Sequence, residues 1–139
     1  ADGWHCMFGA AAAPHVQTPL FVLNSKYDTW QQKAIIGANC SIAACDAKTQ
    51  AFWVDYGHEM VANLTALPAR HGAFLTNCPA HCQTGMTNWD AATIGGTSMK
   101  QAFLSWYSAA SAAREAWRGD AAMRWVETCD VHSCGSDTC

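Results

Sequence analysis

The sequence predicts an α/β domain in which a parallel sheet is flanked by helices. Two short apolar runs, at residues 20–23 and 72–76, have the length and composition of buried strands. Longer stretches follow each run, and their apolar residues recur every three or four positions, as in amphipathic helices. Because strands that alternate with helices usually pair in parallel, we expect both runs to lie in one sheet.

The composition is that of one folded domain. The chain has 139 residues, of which 50% are apolar and 14% are charged, so a disordered tail is excluded. Eight Lys and Arg residues against eleven Asp and Glu residues give a net charge of −3, and no basic stripe is present. We therefore expect no nucleic-acid partner. No apolar run approaches the ~18 residues that cross a bilayer, so we expect no membrane span.

The first strand follows an irregular opening segment. Residues 1–18 contain two glycines and a proline, which interrupt regular structure. We expect the apolar side chains of Trp4, Met7 and Phe8 to pack against the body of the domain. Pro19 can begin the strand but could not lie in its middle.

Two helices are predicted between the strands. Asp28 or Thr29 can cap the first, which Gly37 ends. The second spans about 48–67, and Pro68 follows its end, where a helix stop is expected. The apolar residues on one face of this second helix are Phe52, Tyr56, Met60, Leu64 and Leu67.

A third helix is predicted after the second strand, over residues 99–117. Its apolar side chains form one stripe, which we expect to pack in the core. The stripe consists of Met99, Phe103, Trp106, Ala110, Ala113 and Trp117. Two or three strands cannot form a covered sheet alone, so the free edge is expected to need partner strands. The sequence therefore predicts a piece of a larger domain.

The cysteines predict a disulfide framework. Eight are present, an even number, and all but Cys6 lie in three clusters. The clusters are Cys40 with Cys45, Cys78 with Cys82, and Cys129 with Cys134 and Cys139. Eight cysteines allow 105 pairings, so the connectivity stays open apart from a local bridge between Cys40 and Cys45. We expect disulfides to hold the tail from Cys129 in place.

A zinc site is the competing interpretation of the same residues. Its ligands would be drawn from Cys78, His81, Cys82, His132 and Cys134. Structural zinc sites usually show C-x2-C or H-x3–5-H spacing, which these residues fit poorly. We therefore favour disulfides and expect no metal and no cofactor.

Two sequons and the cysteines favour a secreted glycoprotein, or one in the lumen of the secretory pathway. The sequons are Asn39-Cys40-Ser41 and Asn63-Leu64-Thr65. The chain begins with Ala, and no signal segment follows. We therefore expect a processed chain or a part of a longer one.

An acid follows the first strand and a histidine follows the second. Asp28 and His81 then occur in the order of the α/β-hydrolases, in which Ser, Asp and His follow one another along the chain. Both side chains would emerge at the carboxyl ends of neighbouring strands. Imidazole can take and return a proton near neutral pH, and a carboxylate can hold its tautomer. The alternatives are that Asp28 only caps a helix and that His81 is only a surface residue.

The nucleophile of such a site is not evident in these 139 residues. They contain no Gly-x-Ser-x-Gly turn and no Gly-rich oxyanion loop. Ser98 is better explained as the cap of the third helix, and Ser136 lies in the cysteine-rich tail. We therefore expect the nucleophile on an amino-terminal part of the same fold or on a partner chain.

At several of these positions the chain resembles the pectin acetylesterase and Notum family. The match covers nearly all of this chain but only the carboxyl-terminal part of the family. The similar segments are Trp4 to Phe8, Thr18 to Gln31, Cys40 and Cys45, Asn77 to Gln83, Trp106-Tyr107, and Cys129, Cys134 and Cys139. Ser105 departs from the pattern, because an acid usually precedes the Trp-Tyr pair.

The resemblance implies a secreted serine esterase. Residues 1–139 would be the carboxyl-terminal segment of one α/β-hydrolase domain, with Asp28 and His81 as the acid and the base of the triad. The implied substrate is an acylated polysaccharide or another ester, and removal of acetyl groups from cell-wall polysaccharide is the favoured reaction. Two further hypotheses stay open: a catalytically inactive esterase-fold subunit with a structural or binding role, and a zinc or redox module built on the cysteines.

Overall fold

The computed structural model describes residues 3–85, 88–112 and 123–130 of the chain. Its strands are β1 (Phe21–Ser25), β2 (Gly72–Thr76), β3 (Thr93–Ile94), β4 (Thr97–Ser98) and β5 (Arg124–Val126). Its α-helices are α1 (Gly9–Ala12), α2 (Ala47–Thr65), α3 (Asn88–Ala91) and α4 (Met99–Ala112). A π-helix spans Gln31–Ile35, and short 3-10 turns span Gly3–Met7, Ala13–His15, Ile42–Ala44 and Gln83–Gly85.

Three parallel strands form the main sheet, in the order β1-β2-β5. β2 lies in the centre, and all five of its residues are buried, which explains its continuous apolar sequence. Both predicted strands are therefore confirmed, although β1 begins one residue later and ends two residues later than predicted. β5 was not predicted, because three residues that begin with Arg124 form too short an apolar run to be recognised.

One buried apolar cluster lies on the face of this sheet that carries Phe74. Phe21 is opposite Gly72, and Leu23, Phe74 and Trp125 lie in line across the three strands. These aromatic and apolar side chains pack on a buried cluster formed by Phe74, Ala92, Met99 and Ala102. Of the predicted stripe of α4, Met99 and Trp106 are buried and Phe103 and Ala110 are half-buried, whereas Ala113 and Trp117 fall outside the described residues.

Helix α4 begins at a hairpin and a capping box. Gly95 and Gly96 have φ angles of +58° and +78°, as the two-residue turn between β3 and β4 requires. Ser98 Oγ accepts from the Gln101 N–H at 3.2 Å, and Gln101 Oε1 accepts from the Ser98 N–H at 2.9 Å. The predicted capping role of Ser98 is thus confirmed.

Helix α2 packs with a different face from the one that its apolar stripe indicated. Asp46 caps it by accepting from the Thr49 N–H at 2.8 Å. Its buried residues are Trp53 and Gly57, whereas Phe52 is 46% exposed. The rest of the stripe lines an open cavity of about 450 Å³ beside β1, whose outer edge pairs with no other described strand. The contributing stripe residues are Tyr56, Met60, Leu64 and Leu67.

The opening segment does not pack as expected. Trp4, Met7 and Phe8 are 57%, 85% and 58% exposed. Trp4 makes edge-on contacts with the rings of His5 and Phe8, which belong to the same opening segment. In the part of the chain that the structure describes, no helix is long and apolar enough to cross a membrane.

The predicted local disulfide between Cys40 and Cys45 is confirmed. Cys40 and Cys45 form a disulfide with their Cα atoms 5.2 Å apart, and Cys78 and Cys129 are disulfide-bonded too. Cys82 is free and exposed, so it forms no bridge with Cys78. Among residues 3–85, 88–112 and 123–130, no three His, Cys, Asp or Glu side chains are grouped closely enough to hold a metal ion. His132, Cys134 and the rest of the predicted stapled tail lie outside these residues.

Candidate active site

The structure brings the two predicted site residues into direct contact. Asp28 follows β1 and His81 follows β2, and these strands are parallel neighbours. Their carboxyl ends therefore lie at the same edge of the sheet, where α/β folds place their ligands. His81 Nδ1 lies 2.8 Å from Asp28 Oδ2, although 53 residues separate the two positions in sequence.

The carboxylate of Asp28 is buried, and both of its oxygens make polar contacts. Its Oδ2 faces His81, while its Oδ1 accepts from the backbone N–H groups of Trp30 and Gln31, both at 2.9 Å. The alternative that Asp28 caps a helix is therefore correct, but capping uses only one of the two oxygens. An ionised carboxylate accepts hydrogen bonds and donates none, so the proton in the contact belongs to His81 Nδ1. The other ring nitrogen, Nε2, is then left to accept a proton.

A hydrogen bond from a buried serine connects the end of β1 to the loop after β2. Ser25 is fully buried, and its hydroxyl donates to the carbonyl oxygen of Cys78. The Ser25 hydroxyl oxygen in turn accepts from the Tyr27 N–H at 2.9 Å. Sequence reasoning did not single out Ser25, because its position at the end of an apolar run does not distinguish it from an ordinary strand residue. Because the Ser25 hydroxyl is buried and hydrogen-bonded, we assign Ser25 a structural role.

The loop that carries His81 is held on both sides. Before it, Cys78 and Ala80 are buried. After it, the Gln83 side chain donates to Thr76 Oγ1 at 3.0 Å. The loop backbone is therefore fixed, while the His81 side chain itself is 47% exposed. An imidazole with one protected and one accessible edge is the arrangement that a general base needs.

Trp30 is a site residue that the sequence did not reveal. Its indole stacks on the imidazole of His81, with ring centroids 5.7 Å apart and an interplanar angle of 26°. Trp30 is 54% exposed, although it is one of the largest apolar side chains in the chain. A lone Trp two residues after an acid carries no periodic signal, so only the fold could place it beside His81.

Lysine 26 connects the site to the carboxyl-terminal segment. Lys26 Nζ donates to the carbonyl oxygens of Glu127 at 2.8 Å and Cys129 at 2.7 Å. Burial lowers the pKa of the Lys26 ammonium, while the carboxylates of Asp130 and Glu127 oppose that shift. Segment 127–130 is thereby held at the end of the sheet that carries the site.

Helix α2 packs against residues that follow β1, next to Asp28. Gly57 presents no side chain, and a Cβ placed there would lie 3.4 Å from Lys26 Cβ, so the helix approaches the end of β1 closely. The Tyr56 hydroxyl donates to Gln31 Oε1. Burial, followed by the carboxylates of Asp28 and Glu59, raises the pKa of the Tyr56 hydroxyl. The tyrosine therefore stays neutral and acts as a donor.

A cavity of about 350 Å³ lies near the pair, although neither Asp28 nor His81 lines it. It lies between the turn after Asp28, the disulfide loop and the loop of His81, since Thr29, Cys40 and Pro79 all line it. Its other polar side chains are those of Gln32, Lys33, Asn39 and Ser41. This volume is at the lower end of the range of ~300–1,000 Å³ that ligand pockets generally have. The larger cavity beside α2 likewise contains neither Asp28 nor His81 in its lining.

A family model described as Pectinacetylesterase matches residues 1–132 of the chain. Pectin acetylesterase 7 and pectin acetylesterase 11 of Arabidopsis thaliana are 29% and 28% identical to it over 126 and 120 residues. These matches cover 77% and 73% of this chain, but 32% and 31% of the relatives. The chain thus spans about a third of the length of the curated relatives it matches.

A solved structure shows the same fold. The Wnt deacylase Notum from Drosophila has a TM-score of 0.70 to this chain at 22% identity, over 94% of this chain and 33% of Notum. The predicted α/β-hydrolase fold, with a parallel sheet and flanking helices, is confirmed by this similarity. Because the family model extends over nearly all of its residues, the chain belongs to the pectinacetylesterase family.

Proposed function

We propose that this chain supplies the acid and the base of a serine carboxylic-ester hydrolase. Asp28 is the acid, His81 is the base, and the substrate is an acetylated cell-wall polysaccharide. The contact of 2.8 Å between a buried carboxylate and a half-exposed imidazole carries the proposal. The names of the relatives, pectin acetylesterases, support acetyl as the acyl group and pectin as its carrier.

The proposed reaction has two steps. His81 Nε2 takes the proton of a serine hydroxyl as the serine oxygen bonds to the ester carbonyl carbon, and Asp28 stabilises the imidazolium that forms. The imidazolium then gives this proton to the departing alcohol oxygen of the sugar. Water next attacks the acyl-enzyme with His81 again as the base, and acetate leaves as the serine regains its proton.

The serine in this proposal belongs to an amino-terminal part of the same fold or to a partner chain. Ser98 serves as a helix cap and Ser25 is buried and bonded, so neither suits the role. Among the described strands, β1 pairs only with β2, which leaves one edge open for further strands. The strand that carries the serine would extend the sheet on that side.

Secretion, or residence in the lumen of the secretory pathway, is part of the proposal. The disulfide between Cys40 and Cys45, with disulfide-bonded Cys78 and Cys129, supports an oxidising compartment.

The test uses the natural polypeptide that contains these residues. A fluorophosphonate probe should label one serine, and acetylated pectin should release acetate. His81→Ala should lower both the labelling rate and acetate release by roughly 10⁴- to 10⁶-fold while the fold stays intact.

A second histidine provides a matched control. His58 is 57% exposed and also contacts an aspartate, since its Nε2 lies 2.5 Å from Asp130 Oδ1. His58→Ala should leave labelling and turnover unchanged. Full activity of His81→Ala would refute the proposed roles, and a wild-type protein that neither binds the probe nor releases acetate would favour the inactive subunit.

A further inference from the structure

The plane of the His81 ring needs more than one restraint. The contact with Asp28 fixes the Nδ1 edge of the imidazole at 2.8 Å. A single hydrogen bond leaves the ring free to rotate about the axis of that bond, and the His81 side chain is 47% exposed, so the loop does not enclose it. A general base must bring Nε2 within about 2.6–3.2 Å of the proton that it takes. A second contact is therefore required to orient Nε2.

Trp30 makes that second contact. Its indole lies against the face of the imidazole, with a centroid separation of 5.7 Å and an angle of 26°, within the range of offset stacked pairs. Stacking restrains rotation of the ring out of its plane, which the hydrogen bond alone does not. The two contacts act on different degrees of freedom of the same side chain.

Asp28 positions both partners of the stack. Its Oδ1 holds the backbone N–H of Trp30 at 2.9 Å, while its Oδ2 holds His81 Nδ1. One buried carboxylate therefore contacts both the backbone of Trp30 and the imidazole of His81. Burial in the core does not account for Trp30, since more than half of the residue is exposed.

We propose that Trp30 is a positioning residue, which fixes the plane of the His81 imidazole and so aims Nε2 at the nucleophile. This inference rests on the proposed function, since it assigns Trp30 a role only in reactions that use His81 as the base. A displacement of about 1 Å in a reacting group can lower a rate by up to about a hundredfold, so a loosened ring has a measurable cost.

The kinetic test compares Trp30→Ala with Trp30→Phe in the natural polypeptide. Trp30→Ala should lower kcat for acetate release by roughly ten- to a hundredfold with KM changed less than about twofold. Trp30→Phe keeps a ring for stacking and should recover most of the loss. Trp4→Ala is the matched control, because Trp4 is 57% exposed and makes edge-on contacts with His5 and Phe8 rather than stacking on His81. A rise in KM with unchanged kcat would assign Trp30 to substrate contact and overturn the positioning role.

A spectroscopic measurement on the same natural polypeptide separates this inference from the proposed function. Side-chain ¹⁵N NMR of wild type should show the Nδ1–H tautomer of His81 with a protected Nδ1 proton. In Trp30→Ala that proton should exchange at least about tenfold faster, and Trp30→Phe should restore the protection. An identical signal in Trp30→Ala would overturn the role of Trp30 alone, whereas absence of esterase activity in the wild-type protein would overturn the proposed function.

Discussion

At the scale of the residue, the carboxylate of Asp28 divides its two oxygens between two tasks. One oxygen accepts hydrogen bonds from two backbone N–H groups at the start of the π-helix, and the other contacts His81 Nδ1. A turn that is correctly formed therefore places the carboxylate correctly for the histidine. Local structure and the geometry of the site depend on the same side chain.

Asp28→Asn separates these two tasks. The amide oxygen can still accept from the N–H groups of Trp30 and Gln31, but the amide nitrogen would donate toward His81 Nδ1. The ring would then carry its proton on Nε2 and could not accept one from the nucleophile. We expect turnover to fall by roughly 10⁴-fold with little change in the free energy of unfolding, measured by kinetics and urea titration.

Asp46 offers the matched control for that substitution. Like Asp28, it accepts from backbone N–H at the start of a helix, but it contacts no histidine among the described residues. Asp46→Asn should leave turnover unchanged. If Asp28→Asn also left turnover unchanged, the contact between Asp28 and His81 would have no part in the reaction.

Sequence reasoning could place Asp28 and His81, since each follows a recognisable strand. It could not find Trp30 or Ser25. Their contacts depend on where the turn after one strand meets the loop after another, and residue spacing within a single segment does not encode that meeting.

At the scale of the element, β2 and α4 fit together through a glycine. The rings of Phe21 and Trp106 contact each other and both lie directly over Gly72. A Cβ at this position would lie 2.5 Å from Phe21 Cδ2 and 2.7 Å from Trp106 Cδ1, closer than real side-chain contacts allow. Both rings belong to packed elements, and Trp106 is also fixed by its hydrogen bond to the Arg70 carbonyl. Neither ring can withdraw without disturbing the core.

Gly72→Ala should therefore destabilise the protein. Overpacking of a filled core costs about 1–3 kcal/mol, which exceeds the ~0.4–1 kcal/mol that alanine gains by restricting the unfolded chain. Gly57→Ala is the control, because its nearest neighbour would lie at 3.4 Å and alanine favours a helix by about 1 kcal/mol. Urea unfolding should show a lower midpoint for Gly72→Ala and an equal or higher one for Gly57→Ala. Equal midpoints for both variants would show that the rings adapt.

The elements that the sequence could predict are those with long, regular patterns. β2 and α4 were found from a continuous apolar run and from a stripe at helical spacing. The hairpin of β3 and β4 and the strand β5 are two or three residues long, too short for any periodicity to show. For α2, tertiary packing at Gly57 and Trp53 outweighed the apolar stripe next to them.

At the scale of the whole molecule, the two ends of the sheet differ in chemistry. The candidate site lies at the carboxyl ends of β1 and β2. At the opposite end, just before β2, His71 is 1% exposed and its Nδ1 accepts from the Leu20 N–H at 3.2 Å. Its Nε2 is buried and has no hydrogen-bond partner among the described residues. Protonation of His71 would convert the accepting Nδ1 into a donor that faces another donor.

This histidine makes stability depend on pH. Burial lowers the pKa of His71 below the ordinary 6.5, and the positive charges of Arg70 and Arg124 lower it further. In the unfolded chain the histidine takes up a proton near pH 6.5, while in the folded protein it stays neutral to lower pH. Its contribution to stability is thus fully present above about pH 6.5 and is lost as the pH falls toward the lowered folded-state pKa.

His71→Asn should flatten that dependence. The amide oxygen of asparagine can still accept from the Leu20 N–H, and the side chain does not titrate. We expect the free energy of unfolding, measured in urea at pH steps from 7.5 to 5, to fall less steeply below about pH 6.5 in the variant than in wild type. His58→Asn, which changes an exposed histidine, controls for the general effect of removing an imidazole. An equally steep fall in His71→Asn would mean that other groups set the acid sensitivity. Because His71 and His81 lie at opposite ends of β2, the loss through His71 should appear in global unfolding without an earlier change at the candidate site.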